Sequence, residues 1–472
     1  MTTLKRYLFS VCVVLGSTLS SGWAQSTSED QVWSLEDCLE YALENNPVVR
    51  ISALGLDIAD AQVGQTRAQG LPQINGAIGY TNNPAVQVNL VPDFLTPVII
   101  QSQADLGAIP QPVADSLIGL PRDPLQFQLG QAHNGQASIT LTQLLFDGSY
   151  FVGLQAARTY RELSQHDLQA SRQDVIENVT KAYYGVLVNQ ERLILLQENL
   201  NRLNKLLDET SKLYEEGFVP KVDVSRLRVS RNNIQTEYNK VKNLAMLGEQ
   251  LLKFQMGMPV EESLRVEADL RDIDWAGQAL PLDEEVVFNN RIEYRINQTN
   301  QRLAELDLKN VRAGYLPKLS LQAQGGANNQ RGEFSELFTE EWFGFASISV
   351  GLNIPIFDGL LKANMAQEKK IQAEQLKIQQ EMLENNISLE VSNARVILEN
   401  AVASLEVQQE NMELAQEVFD LVRVKYKEGV SSNLELVDAD NGLKEAQTNY
   451  YSAVYEALIA LVDLEAALGM IE

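Results

Sequence analysis

Histidine and cysteine are scarce in this sequence, and their scarcity argues against several classes of enzyme. Only two His and two Cys occur among 472 residues. The isolated His133 and His166 offer no imidazole cluster for a zinc site or a Ser-His relay. Cys12 and Cys38 form neither a Cys-x-x-Cys motif nor a disulfide framework. Since no nucleophile–base set or glycine-rich phosphate loop stands out either, the sequence predicts a protein that is not an enzyme and needs no cofactor.

Basic residues are also too few for one class of partner. The chain has 38 Lys and Arg against 63 Asp and Glu, which gives a net charge of −25 at neutral pH. Binding to phosphate groups requires clustered Lys and Arg. The charge therefore predicts no nucleic-acid partner.

Long hydrophobic runs are missing after the N-terminus. Lys5 and Arg6 precede an apolar run over residues 7–19, and small residues follow it before Gln25. This pattern predicts a secretory signal peptide over residues 1–24; a membrane anchor is the alternative, but the run is short for one. An exported chain without a later membrane-spanning helix is either soluble or crosses an outer membrane as a β-barrel.

The sequence contains an internal duplication. Three motifs occur in the same order in both halves, with Leu-Pro first, Phe-Asp-Gly next and Tyr-x-x-Gly last; they begin at residues 71, 146 and 214 in the first half and at 316, 357 and 426 in the second. Each half is far longer than a solenoid repeat, so each is one large structural unit. We expect a first repeat over 25–257, a linker or equatorial segment over 258–281 and a second repeat over 282–472.

A heptad pattern predicts very long helices in each repeat. Leucines recur in steps of three and four through residues 193–207, and the second repeat keeps the same register. Gly217 and Gly429 end these helices, and a second helix follows each glycine to make an antiparallel hairpin. The predicted long helices cover about 149–216, 222–256, 360–428 and 434–469, with further helices at about 34–70 and 282–314.

The segments before the long helices alternate with a period of two, as β-strands do. In the clearest case Ile348, Val350 and Leu352 alternate with small polar residues. The predicted strands cover about 72–84, 136–147, 318–329 and 343–357. The pattern fits a barrel wall between lipid and water, or a soluble sandwich, and four strands can close a wide barrel only in an oligomer. Residues 82–134 hold seven of the 14 prolines and predict a long irregular excursion.

Taken in this order and spacing, the motifs resemble those of the TolC-like outer membrane efflux proteins, over essentially the whole mature chain. The resemblance implies an α+β membrane protein of two repeats. Each chain would contribute four strands to a trimeric, twelve-stranded outer-membrane barrel, and its helices would form a long coiled-coil periplasmic tunnel. The location would be the outer membrane of a Gram-negative bacterium, with a large periplasmic portion and barrel strands facing lipid.

The resemblance also implies a gate near the second hairpin turn. Glu435 and Asp438 match the acidic pair that rings the narrowest point of the pore in this family. Residues three apart share a helix face, so a trimer would stack two rings of carboxylates that favour cations and could be blocked by divalent ions. The alternative is a solvated face near a helix N-terminus, where acids are favoured in any case.

The resemblance assigns a latch and a docking surface as well. Tyr426 and Asp223 match residues that hold the family's pore shut, but Ser431 stands where the family has an arginine, so we expect a weaker or different latch. The hairpin turns would dock on an adaptor protein; their residues are Gly217, Phe218, Val219, Gly429, Val430 and Ser431.

The implied function is a passive exit duct for efflux or type I secretion. Its partners would be a periplasmic adaptor (membrane fusion) protein and an inner-membrane transporter of the RND or ABC class. The alternative is that the chain is itself a soluble periplasmic coiled-coil adaptor. An adaptor usually presents one hairpin, whereas this sequence has two, which favours the duct.

Overall fold

The computed structural model describes residues 32–128, 130–266 and 284–471. The predicted signal peptide over 1–24 lies outside the described residues, as does most of the predicted linker over 258–281. The described elements, in chain order, are β1 (Val32–Trp33), α1 (Leu35–Asn45), α2 (Pro47–Ala68), β2 (Gln73–Asn82), β3 (Val88–Val91), α3 (Leu95–Asp105), α4 (Gln111–Ile118), β4 (Leu125–Gln128), β5 (His133–Phe146), α5 (Gly148–Glu215), α6 (Lys221–Met256), β6 (Arg265–Val266), α7 (Glu284–Asn290), α8 (Ile292–Ala313), β7 (Lys318–Arg331), α9 (Glu336–Thr339), β8 (Phe343–Asn353), α10 (Leu361–Lys427) and α11 (Asn433–Leu468).

Four long helices dominate the chain and come in two matched pairs. Helices α5 and α10 contain 68 and 67 residues, while α6 and α11 contain 36 each. No proline interrupts them, so the backbone hydrogen bonds can run without a break. The near-identical lengths are those expected from the predicted duplication.

The expected helix over about 34–70 is instead two helices. Asn46 adopts an extended conformation between α1 and α2, and its side-chain oxygen accepts a hydrogen bond from the N–H of Val48 at 2.7 Å. Pro47 then occupies the first position of α2, where its missing N–H costs nothing. Expecting one helix was wrong, although Asn followed by Pro is a sequence signal for a helix start.

The expected helix over about 282–314 is also divided, at a residue that gives no such signal. Arg291 is extended, with φ −69° and ψ 123°, and separates α7 from α8. Its guanidinium donates to Glu293 and Glu390 and to the carbonyl oxygens of Ala466 and Ala467. Contacts with residues far along the sequence therefore accompany this break.

Four strands form one antiparallel sheet in the order β2-β5-β7-β8. Strand β2 pairs with β5 from Gln73 opposite Thr142 to Asn82 opposite His133. Strands β2 and β8 lie at the two edges of this sheet. The helices join the ends of the strands that carry Gln73 and Phe146, so the opposite end of the sheet carries the connection between Asn82 and His133.

That connection is not the irregular excursion that its prolines suggest. It contains α3, α4 and a short antiparallel pair of strands, β3 and β4. Pro112 stands in the first turn of α4 and Pro97 in the first turn of α3, positions that tolerate proline. The side chain of Asp93 accepts a hydrogen bond from the N–H of Thr96 at 2.9 Å. Proline here starts helices, and the prediction of an irregular segment was wrong.

The chain divides into two compact units. The first contains the described parts of Met1–Ala42, Val179–Asp274 and Met412–Tyr455; the second contains those of Leu43–Asn178, Trp275–Asn411 and Glu456–Glu472. The four-stranded sheet belongs to the second unit, and both hairpin turns belong to the first. Within the described ranges, no helix has an apolar stretch long enough to cross a membrane.

Candidate functional site

The turn between α10 and α11 is built by glycine. Gly429 has φ of 73°, a left-handed conformation that side chains with a Cβ disfavour. The N–H of Val430 donates to the carbonyl of Lys425 at 2.9 Å, and the N–H of Gly429 to that of Tyr426 at 3.0 Å. This pair of bonds is the Schellman ending of a helix. It stops α10 and reverses the chain within a few residues.

The turn between α5 and α6 has the same design. Gly217 has φ of 84°. The N–H of Phe218 donates to the carbonyl of Leu213 at 2.8 Å, and the N–H of Gly217 to that of Tyr214 at 3.0 Å. Both turns present apolar side chains to solvent: Phe218 is 74% exposed and Val430 is 78% exposed. Exposed apolar groups at a hairpin turn are typical of a contact surface.

The predicted gate residues lie at the start of α11, on its exposed side. Glu435 and Asp438 are both exposed. The N–H of Glu435 donates to the hydroxyl of Ser432 at 3.2 Å, which caps the helix. The hydroxyl of Ser431 donates to the Glu435 carboxylate. Ser431 therefore contacts one of the two predicted gate acids.

The predicted latch residues are not joined to each other by a described contact. The Tyr426 hydroxyl is buried and has no hydrogen-bond partner among the described residues. Asp223 instead lies 3.9 Å from the guanidinium of Arg226, three residues along α6. A buried hydroxyl without a partner is uncommon. Tyr426 and Asp223 thus each remain able to accept another contact.

An apolar cluster from all four long helices supports the two turns. It is formed by side chains that are at most 8% exposed, namely Leu200, Leu203, Leu206, Leu227, Ile234, Phe419, Leu436 and Leu443. Tyr426 and Ala439 pack against its surface. Leu436 lies between the two gate acids in sequence and is fully buried, so its packing turns Glu435 and Asp438 outward.

Polar residues inside this packing escaped the sequence analysis. Asp440 is 2% exposed and contacts Ser230, Lys444 and Arg202. The only local signal is the spacing of Asp440 and Lys444, four residues apart on one helix, which is common in solvated salt bridges. The burial of Asp440 depends on α5 and α6, which lie more than 200 residues earlier in the chain.

A single copy of the chain has no ready metal site in its described part. No group of three or more His, Cys, Asp or Glu side chains there could hold a metal ion. Glu435 and Asp438 supply only two carboxylates per chain. A divalent ion at these residues would therefore need carboxylates from more than one copy.

Comparison with known proteins decides the family. The sequence profile described as "Outer membrane efflux protein" matches residues 38–257 and 290–470. The chain belongs to this family. The two matched segments correspond to the two halves of the duplication, and the resemblance inferred from the motifs is confirmed.

Sequence alignments with relatives cover nearly the whole length of the chain. The probable efflux pump outer membrane protein TtgC of Pseudomonas putida is 24% identical over 452 residues, which are 95% of this chain and 84% of the relative. The outer membrane protein TolC of Escherichia coli is 21% identical over 466 residues, which are 97% of this chain and 85% of the relative. Both are described as outer membrane proteins.

Solved structures of channels share the fold. The structure of CusC superposes with a TM-score of 0.72 at 17% identity and covers 94% of this chain and 95% of its own. The open state of the MtrE outer membrane channel of Neisseria gonorrhoeae gives a TM-score of 0.71 at 19% identity, covering 92% and 88%.

Family membership decides between the two functions that the sequence left open, an export duct and a periplasmic adaptor. The efflux protein described here is an export channel of the outer membrane of a Gram-negative bacterium. The alternative, a soluble periplasmic adaptor, is not favoured by any of these relatives. The expectation that the protein is not an enzyme agrees with their descriptions as channels and efflux proteins.

Proposed function

We propose that three copies of the chain form one passive exit duct, with a twelve-stranded barrel in the outer membrane and a helical tunnel in the periplasm. The observation that carries this proposal is the four-stranded sheet, whose edge strands β2 and β8 are free to pair with other copies. An open edge of ten or more residues invites further strand pairing. Three copies joined edge to edge would give a closed barrel.

The exposed faces of the edge strands favour a lipid environment. On β8, Ile348 is 79% exposed and Val350 is 62% exposed, and on β2, Ile78 is 90% exposed. The residues next to them are small, namely Ser and Gly on β8 and Ala and Gly on β2. An outward apolar face and an inward polar face are the arrangement of a transmembrane barrel wall. The apolar faces would contact outer-membrane lipid.

The gate of this duct would be formed by Glu435 and Asp438. Both are exposed in the single chain and lie beside the hairpin turn. If three copies bring them together, six carboxylates share a narrow neck and favour cations over anions. Because several carboxylates can bind one divalent ion at once, Ca²⁺ or Mg²⁺ would block the neck.

Tyr426 and Asp223 would contribute the latch. The Tyr426 hydroxyl is a buried donor with no partner among the described residues, and Asp223 is a carboxylate acceptor. A hydrogen bond between them, formed when the hairpins of the assembled trimer close together, would satisfy the hydroxyl. Without the family arginine, this bond would be the remaining part of the family latch.

The hairpin turns would dock on a periplasmic adaptor protein that connects the duct to an inner-membrane RND or ABC transporter. The residues are the six named above, from Gly217 to Val219 and from Gly429 to Ser431. Phe218 and Val430 would supply the apolar contact. The relative AprF of Pseudomonas aeruginosa, 21% identical over 47% of this chain, is described as an alkaline protease secretion protein, so both efflux and secretion are compatible with this architecture.

The test is purification from outer membranes followed by conductance recording. We expect a detergent-stable trimer that runs as a single heat-modifiable band and forms cation-preferring channels in planar bilayers. Recovery as a monomer in a detergent-free extract would rule out the trimeric barrel. Crosslinkers placed at Phe218 and Val430 should capture the adaptor, whereas a crosslinker at the exposed Ile194 on α5 serves as the control.

A further inference from the structure

A group of charged side chains around one buried carboxylate joins three helices near the hairpin turns. Its centre is the carboxylate of Asp440 on α11, whose side chain is 3% exposed. One carboxylate oxygen, Oδ2, accepts from the Ser230 hydroxyl of α6 at 3.2 Å and also contacts the Lys444 ammonium. The Lys444 Nζ in turn donates to the Ser230 hydroxyl at 2.8 Å.

Helix α5 completes the group through Arg202. The Arg202 Nη2 lies 3.5 Å from the other Asp440 oxygen, Oδ1, as an ion pair without hydrogen-bond alignment. The same guanidinium lies over the ring of Phe419 on α10, 4.5 Å from its centre. Asp440 therefore connects α11 to α5 and α6, the two helices of the first hairpin. Arg202, which lies beside Asp440, also contacts α10 through Phe419.

The position of Asp440 along α11 relates it to the gate acids. At 3.6 residues per turn, a residue two positions after Asp438 and five after Glu435 lies about 200° and 140° around the helix from them. Asp440 thus faces inward when Glu435 and Asp438 face outward, which is how the structure has them. Fixing Asp440 in the packing fixes the rotation of α11 and hence the direction of both acids.

The contacts of Asp440 with Ser230, Lys444 and Arg202, called the anchor below, exist in only one of the two hairpins. The duplication places Arg228 of α6 at the position that corresponds to Asp440, and Arg228 is exposed. The hairpin that carries the buried carboxylate is the one that carries Glu435 and Asp438. A purely structural feature of the repeat would be expected in both halves.

The chemistry of the group makes it sensitive to the loss of any member. Burial lowers the pKa of the Lys444 ammonium, an effect opposed by the neighbouring Asp440 carboxylate. Removing one partner of a buried ion pair leaves the other charge without compensation. Buried polar groups of this kind can select one packing arrangement over others.

We propose that Asp440 is the positioning residue of the gate, which holds α11 against α5 and α6 so that Glu435 and Asp438 are directed into the pore. The proposal rests on the proposed function, because it requires those acids to line a pore. Release of Asp440 would free α11 to rotate and move outward, so the neck would widen and the acids would leave it. The anchor is distinct from Tyr426, Asp223 and Ser431.

The test compares channels of the wild type with the Asp440→Asn variant in planar bilayers. We expect the open fraction to rise by about tenfold or more, because a buried charge-assisted contact is lost in each chain. Cation preference should fall in the same recordings. The matched control is Asp208→Asn on α5, which breaks an Asp–Lys pair of the same spacing, 2.7 Å long and exposed on both sides. The control should conduct like the wild type.

Two further variants separate positioning from folding. Asp440→Leu combined with Lys444→Leu removes the whole Asp440–Lys444 pair and leaves only the partly exposed Arg202 without its ion pair. Arg202→Met keeps the Asp440–Lys444 pair and removes the contact of α5 with Asp440. Both should form detergent-stable trimers and still have a raised open fraction. Wild-type open fraction and selectivity in such trimers would overturn the proposal.

A charge exchange identifies which contact matters. Asp440→Lys with Lys444→Asp keeps the pair within α11 but places a lysine beside Arg202, so we expect no rescue. Full rescue would show that only the pair inside α11 is needed and would contradict the anchor to α5. If the wild type itself forms no channel, the proposed function fails; if it conducts and the variants match it, only this inference fails.

Discussion

Asn199 of α5 and Gln447 of α11 meet inside the helical packing, where the amide nitrogen of Asn199 donates to the side-chain oxygen of Gln447 at 2.9 Å. Both residues are buried, at 1% and 6% exposure. They lie farther from the hairpin turns than Asp440 and Arg202, which join the same two helices. The side-chain oxygen of Asn199 has no partner among the described residues, so this pair is only partly satisfied.

Removing one member of this pair should cost more than removing both. Gln447→Leu leaves the buried amide of Asn199 without an acceptor, which destabilises by about 1–3 kcal/mol. Adding Asn199→Leu should recover most of this loss, because no unsatisfied polar atom then remains. Thermal unfolding of the trimer in detergent measures both effects. Gln197→Leu, which breaks an exposed amide pair on α5, is the control and should change little. Equal losses from the single and double variants would contradict the argument.

Glycine at the hairpin turns should be required for its backbone conformation. Gly429→Ala places a Cβ at φ of 73°, which costs about 1–2 kcal/mol. The loss should appear as a lower unfolding temperature and a weaker capture of the adaptor. Gly153→Ala, inside α5 with no atom within 4 Å of the added Cβ, should instead stabilise by up to about 1 kcal/mol. If both substitutions lower the unfolding temperature, or both raise it, this explanation is wrong.

Replacing the gate acids should change which ions pass. In planar bilayers, Glu435→Gln with Asp438→Asn should lower cation selectivity and abolish block by divalent ions, because six carboxylates would be neutralised. Glu445→Gln is the control, since Glu445 is exposed on the same helix two turns farther from the hairpin. If the double variant keeps wild-type selectivity and block, the acids are a solvated face and not a pore lining.

Removing the Tyr426 hydroxyl should change how often the neck is open. Tyr426→Phe deletes one hydrogen-bond donor worth about 1 kcal/mol per chain and should raise the open fraction without altering selectivity. The ring remains to pack against the apolar cluster. Tyr455→Phe, at an exposed position on α11, is the control. An unchanged open fraction would mean that the hydroxyl makes no latch.

Arg291 should be important for stability in the second unit. Burial alone would lower the pKa of its guanidinium, but hydrogen bonds to Glu390 and Glu293 raise the pKa above its usual value. It also donates to the last carbonyl groups of α11, with Ala467 at 3.0 Å. Arg291→Met should therefore destabilise by about 2–4 kcal/mol in thermal unfolding. Arg423→Met, which breaks an exposed pair with Asp420, should cost less than about 1 kcal/mol.

Much of the fold follows from the sequence by itself. The duplication, the long helices, the four strands of the sheet and the two glycine turns depend on local pattern and on backbone preference. Gly429 and Gly217, for example, can be identified because a left-handed residue at a helix end is nearly always glycine. The family resemblance adds the candidate gate and latch, since its motifs lie next to these turns.

Other features were decided only by the tertiary structure. Asp440 and Lys444 have the spacing of an ordinary surface pair, and only the packing of α5 and α6 buries the Asp440 carboxylate. Arg291 interrupts a helix without a proline and without a side-chain cap, and its partners Glu390 and Ala467 lie about a hundred or more residues away. The physical reason is the same in both cases. Burial and long-range hydrogen bonds arise between residues that come together from distant parts of the chain. They therefore cannot be predicted from local periodicity.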